Sequence, residues 1–537
     1  MRLALASGFT LSLLLGLLFA VLGSISLVYT DLSFYAILGL VVLFNFLMWL
    51  VSPKISDFTY RFTHGLEWIT LEELRDISPA SAEVIEEVTE EYDYSTPKLG
   101  IIRDSNPQAF TYGSGRWNSR IVVTEGIFEY LDDNEASSVY AHELGHITNR
   151  DFIIMTIANT VVQTLFLIYI NARRQAIRAR DRKGAAFIGV AVAAYVFYFI
   201  GKYLVYYLSR VREYYADKFA SEWTDPNYLS SALIKISYGI LDSPDNKDLV
   251  QATESMGIMD LEQGEEKGAV YYNASNLGDW DALGKALMFD FKNPWASLLE
   301  LTSTHPLTGK RIKAMNKYTD QPFIDFDKLL EKTEVSKSRL YKGFFKDLSV
   351  IGVPKILFFA FPLIYGGLAL ANAVPVSIAV FLGGWALIVG FGAVMKAVYS
   401  YPMRGGFSKS NVMNLLGNIY SSPVKGEKTS IEGEIIGRGN AGYFAGSDLK
   451  IRDSTGMIHL GYTSLFGRLG NFFFGWRKAG DYVNQKITIK GWYFRGLVPR
   501  IDMHELGDKR SYPRTWSLIK GVILVFIGLV LVSVGLL

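Results

Sequence analysis

The chain has 537 residues, of which 50% are hydrophobic, and its mean hydropathy is +0.19. An ordinary soluble enzyme is less apolar, so the composition predicts a membrane protein. The 54 basic and 52 acidic side chains leave a net charge of +2, which gives no general electrostatic reason to expect nucleic acid or a strongly charged substrate. The sequence contains no cysteine, and this excludes disulfides, a thiolate nucleophile and cysteine-ligated metal.

Long apolar runs predict seven membrane-spanning helices, because a helix needs about 20 residues to cross the hydrocarbon core. In chain order, the runs cover residues 3–28, 32–51, 152–170, 185–208, 356–371, 374–398 and 518–537. The first six runs pair into three hairpins. The first run is predicted to be a retained span rather than a secretory signal, since no clear small-residue cleavage site precedes charged sequence.

Basic residues near the ends of these runs predict the orientation of the protein, because positive charge is enriched on the cytoplasmic side. The seven-span arrangement places these basic residues on one side, together with every large polar segment: Arg2, Lys54, Arg61, Lys337, Arg339, Lys342, Lys346, Arg404, Arg514 and Lys520. We therefore expect a multi-pass protein of the cell membrane whose polar regions face the cytoplasm. The Arg-rich turn at 171–184 is the exception, so the hairpin 152–208 is either a complete crossing or a re-entrant pair surrounded by protein.

Three polar regions lie between the spans. Residues 53–151 mix acidic helical sequence with short strand-like pieces, which indicates a small α/β unit. Residues 209–350 have a charged, helical pattern, and residues 401–516 alternate β-rich runs with glycine-rich turns, as in a small β-barrel or sandwich. The predicted domains are a transmembrane hairpin at 1–52, a mixed region at 53–350 that includes the hairpin 152–208, a transmembrane hairpin at 351–400, a β-rich domain at 401–516 and a transmembrane helix at 517–537.

Metal chemistry is indicated by the run Tyr140-Ala141-His142-Glu143-Leu144-Gly145-His146. Asp132 with Glu135 predicts a capping box, so a helix is expected to begin there and to continue through this run. Residues four apart share a helix face, so His142 and His146 can offer two imidazoles to one tetrahedral zinc ion, with Glu143 beside them as general base. With six histidines and 52 acidic residues in the chain, chance would give fewer than about one such match in a hundred sequences.

A second run, His504-Glu505-Leu506-Gly507, repeats the first four letters but has Asp508 where the second histidine would stand. A lone histidine without a partner at helical spacing is seldom a metal ligand. This run is therefore predicted to be a surface turn, and His64 and His459 are likewise interpreted as structural.

A catalytic zinc needs a third protein ligand and an open fourth position. Glu213 and Asp217 lie one helical turn apart at the polar end of the fourth apolar run. Glu213 can bind the metal while Asp217 accepts the free N–H of a ligating histidine and orients its ring. The alternative from the residues alone is a solvated, charged helix end.

These segments resemble the HtpX-like integral-membrane zinc endopeptidases, the family that includes the CAAX prenyl protease. Beyond the two histidines, the resemblance rests on four separated runs: Asn149-Arg150-Asp151, the segment 106–113, Arg212-Glu213-Tyr214-Tyr215-Ala216-Asp217 and Thr304-His305-Pro306-Leu307. It implies Glu213 as third ligand, Glu143 as catalytic base, Asp217 as the residue that orients a ligand, and His305 as a group that stabilises the tetrahedral intermediate.

The resemblance covers roughly residues 1–315. It implies that substrates bind as extended strands along the edge that begins at Gln108-Ala109-Phe110, where many relatives have asparagine in place of Gln108. Residues 425–510 lie outside it and look like an oligonucleotide/oligosaccharide-binding (OB) barrel. The basic residues of this region lack interleaved stacking aromatics, so no nucleic acid is expected and a protein partner is predicted for the β-rich domain.

The predicted fold class is a mainly α-helical polytopic membrane protein with a zincin-like α/β catalytic unit at the membrane surface and a C-terminal β-rich, OB-like domain. Polar residues flank the zinc motif, so the active site is expected at the membrane surface, within a metalloprotease domain at 53–350. The expected activity is zinc-dependent endoproteolysis of membrane-associated or misfolded proteins, with one Zn2+ and with the lipid bilayer as surroundings. The alternatives are a CAAX-type prenyl-protein protease and a non-enzymatic polytopic membrane protein with a structural zinc.

Overall fold

The computed structural model describes residues 34–178, 182–242, 257–258, 280–371, 373–438, 447–496 and 498–536. The predicted span at 3–28 lies outside these residues. The chain forms two compact units. The first comprises Met1–Gly268 and Leu299–Asp325, and the second comprises Ala269–Leu298 and Phe326–Leu537.

Helices dominate both units. In chain order, the α-helices are α1 (Phe34–His64), α2 (Leu71–Ile77), α3 (Pro79–Glu91), α4 (Glu125–Tyr130), α5 (Asp133–Thr148), α6 (Asp151–Arg178), α7 (Arg182–Trp223), α8 (Pro226–Asp242), α9 (Trp280–Leu287), α10 (Phe289–Lys292), α11 (Pro294–Glu300), α12 (Thr308–Met315), α13 (Phe326–Lys332), α14 (Lys337–Leu370), α15 (Ile378–Ser400), α16 (Val412–Leu416), α17 (Gly467–Arg477) and α18 (Pro513–Leu536). The strands are β1 (Glu67–Ile69), β2 (Lys98–Ile102), β3 (Ala109–Gly113), β4 (Ser119–Thr124), β5 (Ser408–Lys409), β6 (Glu427–Arg438), β7 (Leu449–Asp453), β8 (Gly456–Gly461), β9 (Lys486–Phe494), β10 (Arg500–Leu506) and β11 (Lys509–Arg510).

Among the described residues, five helices are long and apolar enough to cross a membrane, namely α6, α7, α14, α15 and α18. They match five of the seven predicted runs to within a few residues at the ends of the runs that they do not fully contain, and most of a sixth run, 32–51, falls in α1. Two of these helices continue well beyond their apolar runs: α7 extends past Leu208 to Trp223, and α14 begins at Lys337 rather than near residue 356. The chain is a multi-pass membrane protein, and the polar extension of α7 contains Glu213 and Asp217.

A four-stranded sheet supports the first unit, with strand order β1-β2-β4-β3. The pair β2 and β4 is parallel, while β1–β2 and β3–β4 are antiparallel. The strand β4 is buried along its whole length, and one face of the sheet shares a core with α1 through residues such as Tyr60, Phe110 and Val122. This order leaves β3 at the edge of the sheet.

The helix α5 begins as predicted. The Asp132 carboxylate accepts the backbone N–H of Glu135, and the Glu135 carboxylate accepts that of Asp132, both at 3.0 Å, so the capping box is confirmed. The helix ends before Arg150, whose φ of 57° turns the chain into α6. At Gly145, α5 approaches α7 so closely that an added Cβ would lie 3.1 Å from the Ala216 Cα. Glycine at this position therefore lets the two helices bring their polar side chains together.

In the second unit, α15 and α18 pack through small residues. An added Cβ at Gly383 would lie 2.8 Å from the Gly528 carbonyl, and one at Gly390 would lie 2.9 Å from the Gly521 carbonyl. Small residues at these positions allow close contact between helices in a membrane, where apolar surface alone gives no preference for another helix over lipid.

Strands β6 to β10 close into a barrel. Strand β6 pairs with both β7 and β9, β7 pairs with β8, β8 runs parallel to β10, and β10 pairs with β9. The helix α17 connects β8 to β9. This closed five-stranded arrangement agrees with the predicted OB-like domain, and the predicted fold class is confirmed.

The prediction of a surface turn at 504–507 is wrong for most of its length. His504 lies in β10, and its ring stacks on Phe407 at 5.5 Å between centroids and contacts Trp492 at 5.2 Å. The turn begins only at Gly507, which has a φ of 54°. Aromatic neighbours on other segments, which local sequence does not reveal, account for the difference.

Candidate metal centre

Three side chains from two helices converge in the first unit. The Nε2 atoms of His142 and His146, both on α5, lie 3.3 Å apart. Across from them on α7, the Glu213 carboxylate has Oε2 3.5 Å from His142 Nε2 and Oε1 3.6 Å from His146 Nε2. One ligand atom from each residue falls within 4.8 Å of the others, so the three can hold a single metal ion.

The chemistry of these donors fits a metal site. Two imidazole nitrogens and one carboxylate oxygen form a three-ligand set that leaves one tetrahedral position for water or substrate. Glu213 is buried, and its Oε2 makes no hydrogen bond to any residue that the structure describes. Cationic or protonatable groups surround this oxygen instead, with Arg311 Nη2 at 3.8 Å and His142 Nε2 at 3.5 Å. A buried carboxylate needs such compensating charge, so Glu213 does not have the surroundings of a solvated helix end.

The other ring nitrogens face carboxylates. His142 Nδ1 lies 3.1 Å from Asp217 Oδ1, and His146 Nδ1 lies 2.6 Å from Asp151 Oδ2. Contacts of this kind fix the ring orientation and leave Nε2 available to a metal. The Asp217 contact was anticipated from its spacing to Glu213. Asp151 is an addition: it occurs in one of the runs of the resemblance, and the turn at Arg150 brings it back to His146.

Two arginines complete these contacts. The Arg311 guanidinium is buried and binds both oxygens of Asp217, with Nε at 2.9 Å and Nη2 at 2.6 Å. Arg212 Nη2 lies 2.8 Å from Asp151 Oδ2. Each histidine is therefore backed by a carboxylate and each carboxylate by a guanidinium. Sequence reasoning did not identify Arg311, which reaches Asp217 from α12, far away along the chain.

Glu143 is buried beside the two histidines, and neither of its carboxylate oxygens has a hydrogen-bond partner within the described part of the chain. Burial raises the pKa of the Glu143 carboxyl, while the His146 and His142 rings act in the opposite direction. Burial also opposes protonation of His142, but Asp217 and Glu213 outweigh it and raise the pKa of His142 to about 9. A metal ion that binds His142 must displace this proton.

His305 also reaches this centre. Its Nε2 lies 3.8 Å from Glu213 Oε1, and its Nδ1 lies 3.0 Å from the Thr304 hydroxyl. The segment before α12 is attached to α7 by Arg210, whose Nη1 donates to the backbone carbonyls of Glu300 and Ser303, each at 2.8 Å. The structure thus brings the most distant of the predicted site residues to the same centre.

The expected substrate edge is already paired in part. Ala109 and Phe110 begin β3, and Gln108 lies just before it. The Ile258 N–H donates to the Ala109 carbonyl at 3.0 Å, and Gly257 lies opposite Phe110 in an antiparallel bridge.

The same segment is also held from its other side, because Arg311 Nη1 donates to the Ile258 carbonyl at 2.7 Å. An added Cβ at Gly257 would lie 2.4 Å from Gln108 Nε2, so a larger residue there would have to displace this amide. Neither contact has a local signature in the sequence, because both join segments that are far apart along the chain.

Comparison with known proteins agrees with this geometry. The profile of Peptidase family M48 matches residues 79–319. A "Protease HtpX homolog" of Methanothermobacter thermautotrophicus is 34% identical over 228 residues, which is 42% of this chain and 81% of the relative. The chain belongs to peptidase family M48. A second "Protease HtpX homolog", from Thermococcus sibiricus, is 28% identical over 329 residues. That match covers 60% of this chain and 98% of the relative.

The M48 chain is a metalloprotease of the HtpX-like type, as the resemblance implied. Among solved structures, it is similar to the crystal structure of S. mikatae Ste24p at 15% sequence identity, with a TM-score of 0.34. That match covers 52% of this chain and 58% of the other. Residues beyond 319 lie outside the family profile.

Proposed function

We propose that this M48 peptidase is a zinc-dependent membrane endopeptidase that hydrolyses peptide bonds at the centre formed by His142, His146 and Glu213. The observation that carries the proposal is the position of Glu143, a buried carboxylate with no hydrogen-bond partner among the described residues, directly beside three metal-binding groups. A structural metal site needs no such base and no open position.

Zinc is the metal we infer. Two imidazoles and one carboxylate are the protein ligands of a common class of catalytic zinc sites, and the chain has no thiolate to offer a softer metal. When bound, zinc polarises the attacking water and the scissile carbonyl. Asp217 and Asp151 keep both histidine rings in the orientation that presents Nε2, and the two arginines hold those carboxylates in place.

Glu143 acts as the general base in this proposal. It takes a proton from the attacking water and then passes that proton to the nitrogen of the leaving amine. His305 donates a hydrogen bond to the oxygen on which negative charge develops. Its position next to Glu213, in a segment held to α7 by Arg210, supports this role.

Substrates bind as extended strands on the outer edge of β3, where main-chain hydrogen bonds give affinity without requiring a particular sequence. Because Ile258 already donates to the Ala109 carbonyl, a substrate strand replaces this internal pairing. The basic residues at the ends of the spans support a cytoplasmic site. The substrates are then cytosol-facing segments of membrane-associated or misfolded proteins.

The proposal is tested by removing and restoring the metal in the purified, full-length protein in detergent or nanodiscs. A chelator should abolish cleavage of an unfolded membrane-protein substrate, and one equivalent of zinc per chain should restore it. Thermal unfolding recorded on the same samples separates loss of chemistry from loss of fold. Undiminished cleavage by protein that has been shown to be metal-free would overturn the proposal.

A further inference from the structure

The barrel of the second unit carries an apolar helix face. Leu469, Phe472, Phe473 and Trp476 on α17, with Phe466 just before it, are each between 45% and 77% exposed. Positions 466, 469, 473 and 476 recur at intervals of three and four, so they share one side of the helix. Phe474 and Gly475 are buried, and the Phe474 ring stacks on Tyr462, just after β8, at 3.8 Å between centroids. A contiguous patch of large, exposed apolar side chains marks a site of interaction with a protein or a membrane.

The charged residues of the segment that carries this face are all basic. Residues 465–478 contain Arg468, Arg477 and Lys478 and no acidic residue. The Arg477 guanidinium lies over the Trp476 ring at 5.4 Å from its centroid. An aromatic and aliphatic face bordered by basic residues is typical of helices that lie in the plane of a membrane interface.

The helix is attached to the start of a membrane-spanning helix in the same unit. Gly467, with a φ of 58°, packs so closely on Trp516 of α18 that an added Cβ would lie 2.3 Å from the indole. Just before α17, the Thr463 carbonyl accepts the Tyr512 N–H at 2.7 Å, and the Thr463 N–H donates to the Ser511 hydroxyl at 2.9 Å. The N-terminal end of α17 therefore cannot move far from the first turn of α18.

That first turn has the features of a membrane boundary. Trp516 lies near the beginning of the apolar helix Pro513–Leu536, and Lys520 Nζ lies 5.6 Å from the centroid of its ring. Tryptophan and basic residues mark the headgroup level at the ends of membrane helices. The apolar face of α17 thus begins beside the point where α18 enters the bilayer.

We propose that α17 lies in the interfacial layer of the bilayer, with Phe466, Leu469, Phe472, Phe473 and Trp476 among the upper acyl chains. Arg468 and Arg477 then lie at the level of the lipid phosphates, where their charge favours anionic headgroups. The lipid surface is the occupant because the face begins beside a membrane-spanning helix and the charged residues of its own segment, 465–478, are all basic. The OB-like barrel is accordingly held on the membrane by α17 as well as by the spanning helices of its unit.

The absence of native cysteine allows a direct test with single-cysteine variants of the full-length protein. Leu469→Cys and Phe473→Cys place a polarity-sensitive fluorophore on the apolar face. Ser454→Cys places it in the exposed turn between β7 and β8 as a control. Each labelled protein is reconstituted into nanodiscs that contain lipids with a nitroxide either near the glycerol or near the end of the acyl chain.

Labels at 469 and 473 should show blue-shifted emission and should be quenched most strongly by the shallow nitroxide, because an interfacial helix is buried only about 5–10 Å below the surface. The Ser454→Cys label should be quenched by neither. Equal, weak quenching at all three positions would overturn the proposal. So would protection of 469 and 473 from both nitroxides together with cross-linking between chains, which would assign the face to a second copy.

Discussion

The run His-Glu-Leu-Gly occurs twice in this chain, at 142–145 and at 504–507, and the two copies have different structures. The first lies on α5, where His142 is buried against Glu213 and Asp217. The second lies on β10, where His504 packs on Phe407 and Trp492.

The surroundings also shift the pKa values of the two histidine rings in opposite directions. Carboxylates outweigh burial and raise the pKa of His142 to about 9, whereas burial lowers the pKa of His504. The two glutamates differ too, since Glu143 has no hydrogen-bond partner among the described residues and Glu505 pairs with Lys490 at 2.9 Å. The same four residues thus form part of a metal site only in the first copy. There, His146 follows at helical spacing and another helix supplies a third ligand.

Of the substitutions that separate the two copies, removal of the third ligand should have the largest effect on zinc content and cleavage. Glu213→Ala leaves two imidazoles to hold the ion, so we expect zinc content to fall to near zero and cleavage to be lost with it. Glu505→Ala is the matched control at the second copy and should retain one zinc per chain. Metal analysis of both purified proteins checks this, and a full complement of zinc in Glu213→Ala would remove Glu213 from the ligand set.

A smaller loss is expected from Asp217→Asn, which keeps the shape of the side chain but removes the charge that faces His142 and Arg311. Zinc affinity should weaken by about 10–100-fold, as is common when a group that orients a ligand is changed. Competition with a chromophoric chelator measures this affinity, and circular dichroism verifies that the fold is kept. A greater loss than in Glu213→Ala would mean that the roles of the two carboxylates are exchanged.

The smallest effect is expected from His504→Ala. Zinc content and cleavage should equal those of the wild type, because His504 packs on aromatic rings and belongs to no group of metal-binding side chains in the part of the chain that the structure describes. Loss of this packing should destabilise the barrel by about 1 kcal/mol, which urea unfolding of the full chain can detect. Reduced zinc content in this variant would show that the second copy of the run takes part in metal binding.

Local patterns predicted a large part of this molecule. The capping box at Asp132, the helix through His146 and five membrane-length helices are present where spacing and apolar runs placed them. These features depend on residues close together in sequence, for which periodicity is informative.

Contacts between distant segments could not be predicted in this way. Arg311 binds Asp217 across 94 positions, and Ile258 pairs with Ala109, yet neither residue has a local signature. The strand position of His504 was also not predicted, because the contacts that hold it come from Phe407 and Trp492 on other segments. Its glycine and charged neighbours alone resemble a turn. Sequence therefore indicated the candidate ligands and Asp217, whereas the contact of Asp151 with His146 and that of Arg311 with Asp217 required the tertiary structure.

Only the first His-Glu-Leu-Gly is expected to perform hydrolysis, and separate replacement of the two glutamates by glutamine distinguishes the two copies. Cleavage of one substrate is compared for wild type, Glu143→Gln and Glu505→Gln, with zinc measured in the same samples. We expect Glu143→Gln to retain zinc and to cleave about 10²–10⁴-fold more slowly, since a general base contributes about that much, and Glu505→Gln to match the wild type. Equal cleavage by wild type and by zinc-loaded Glu143→Gln would contradict the account.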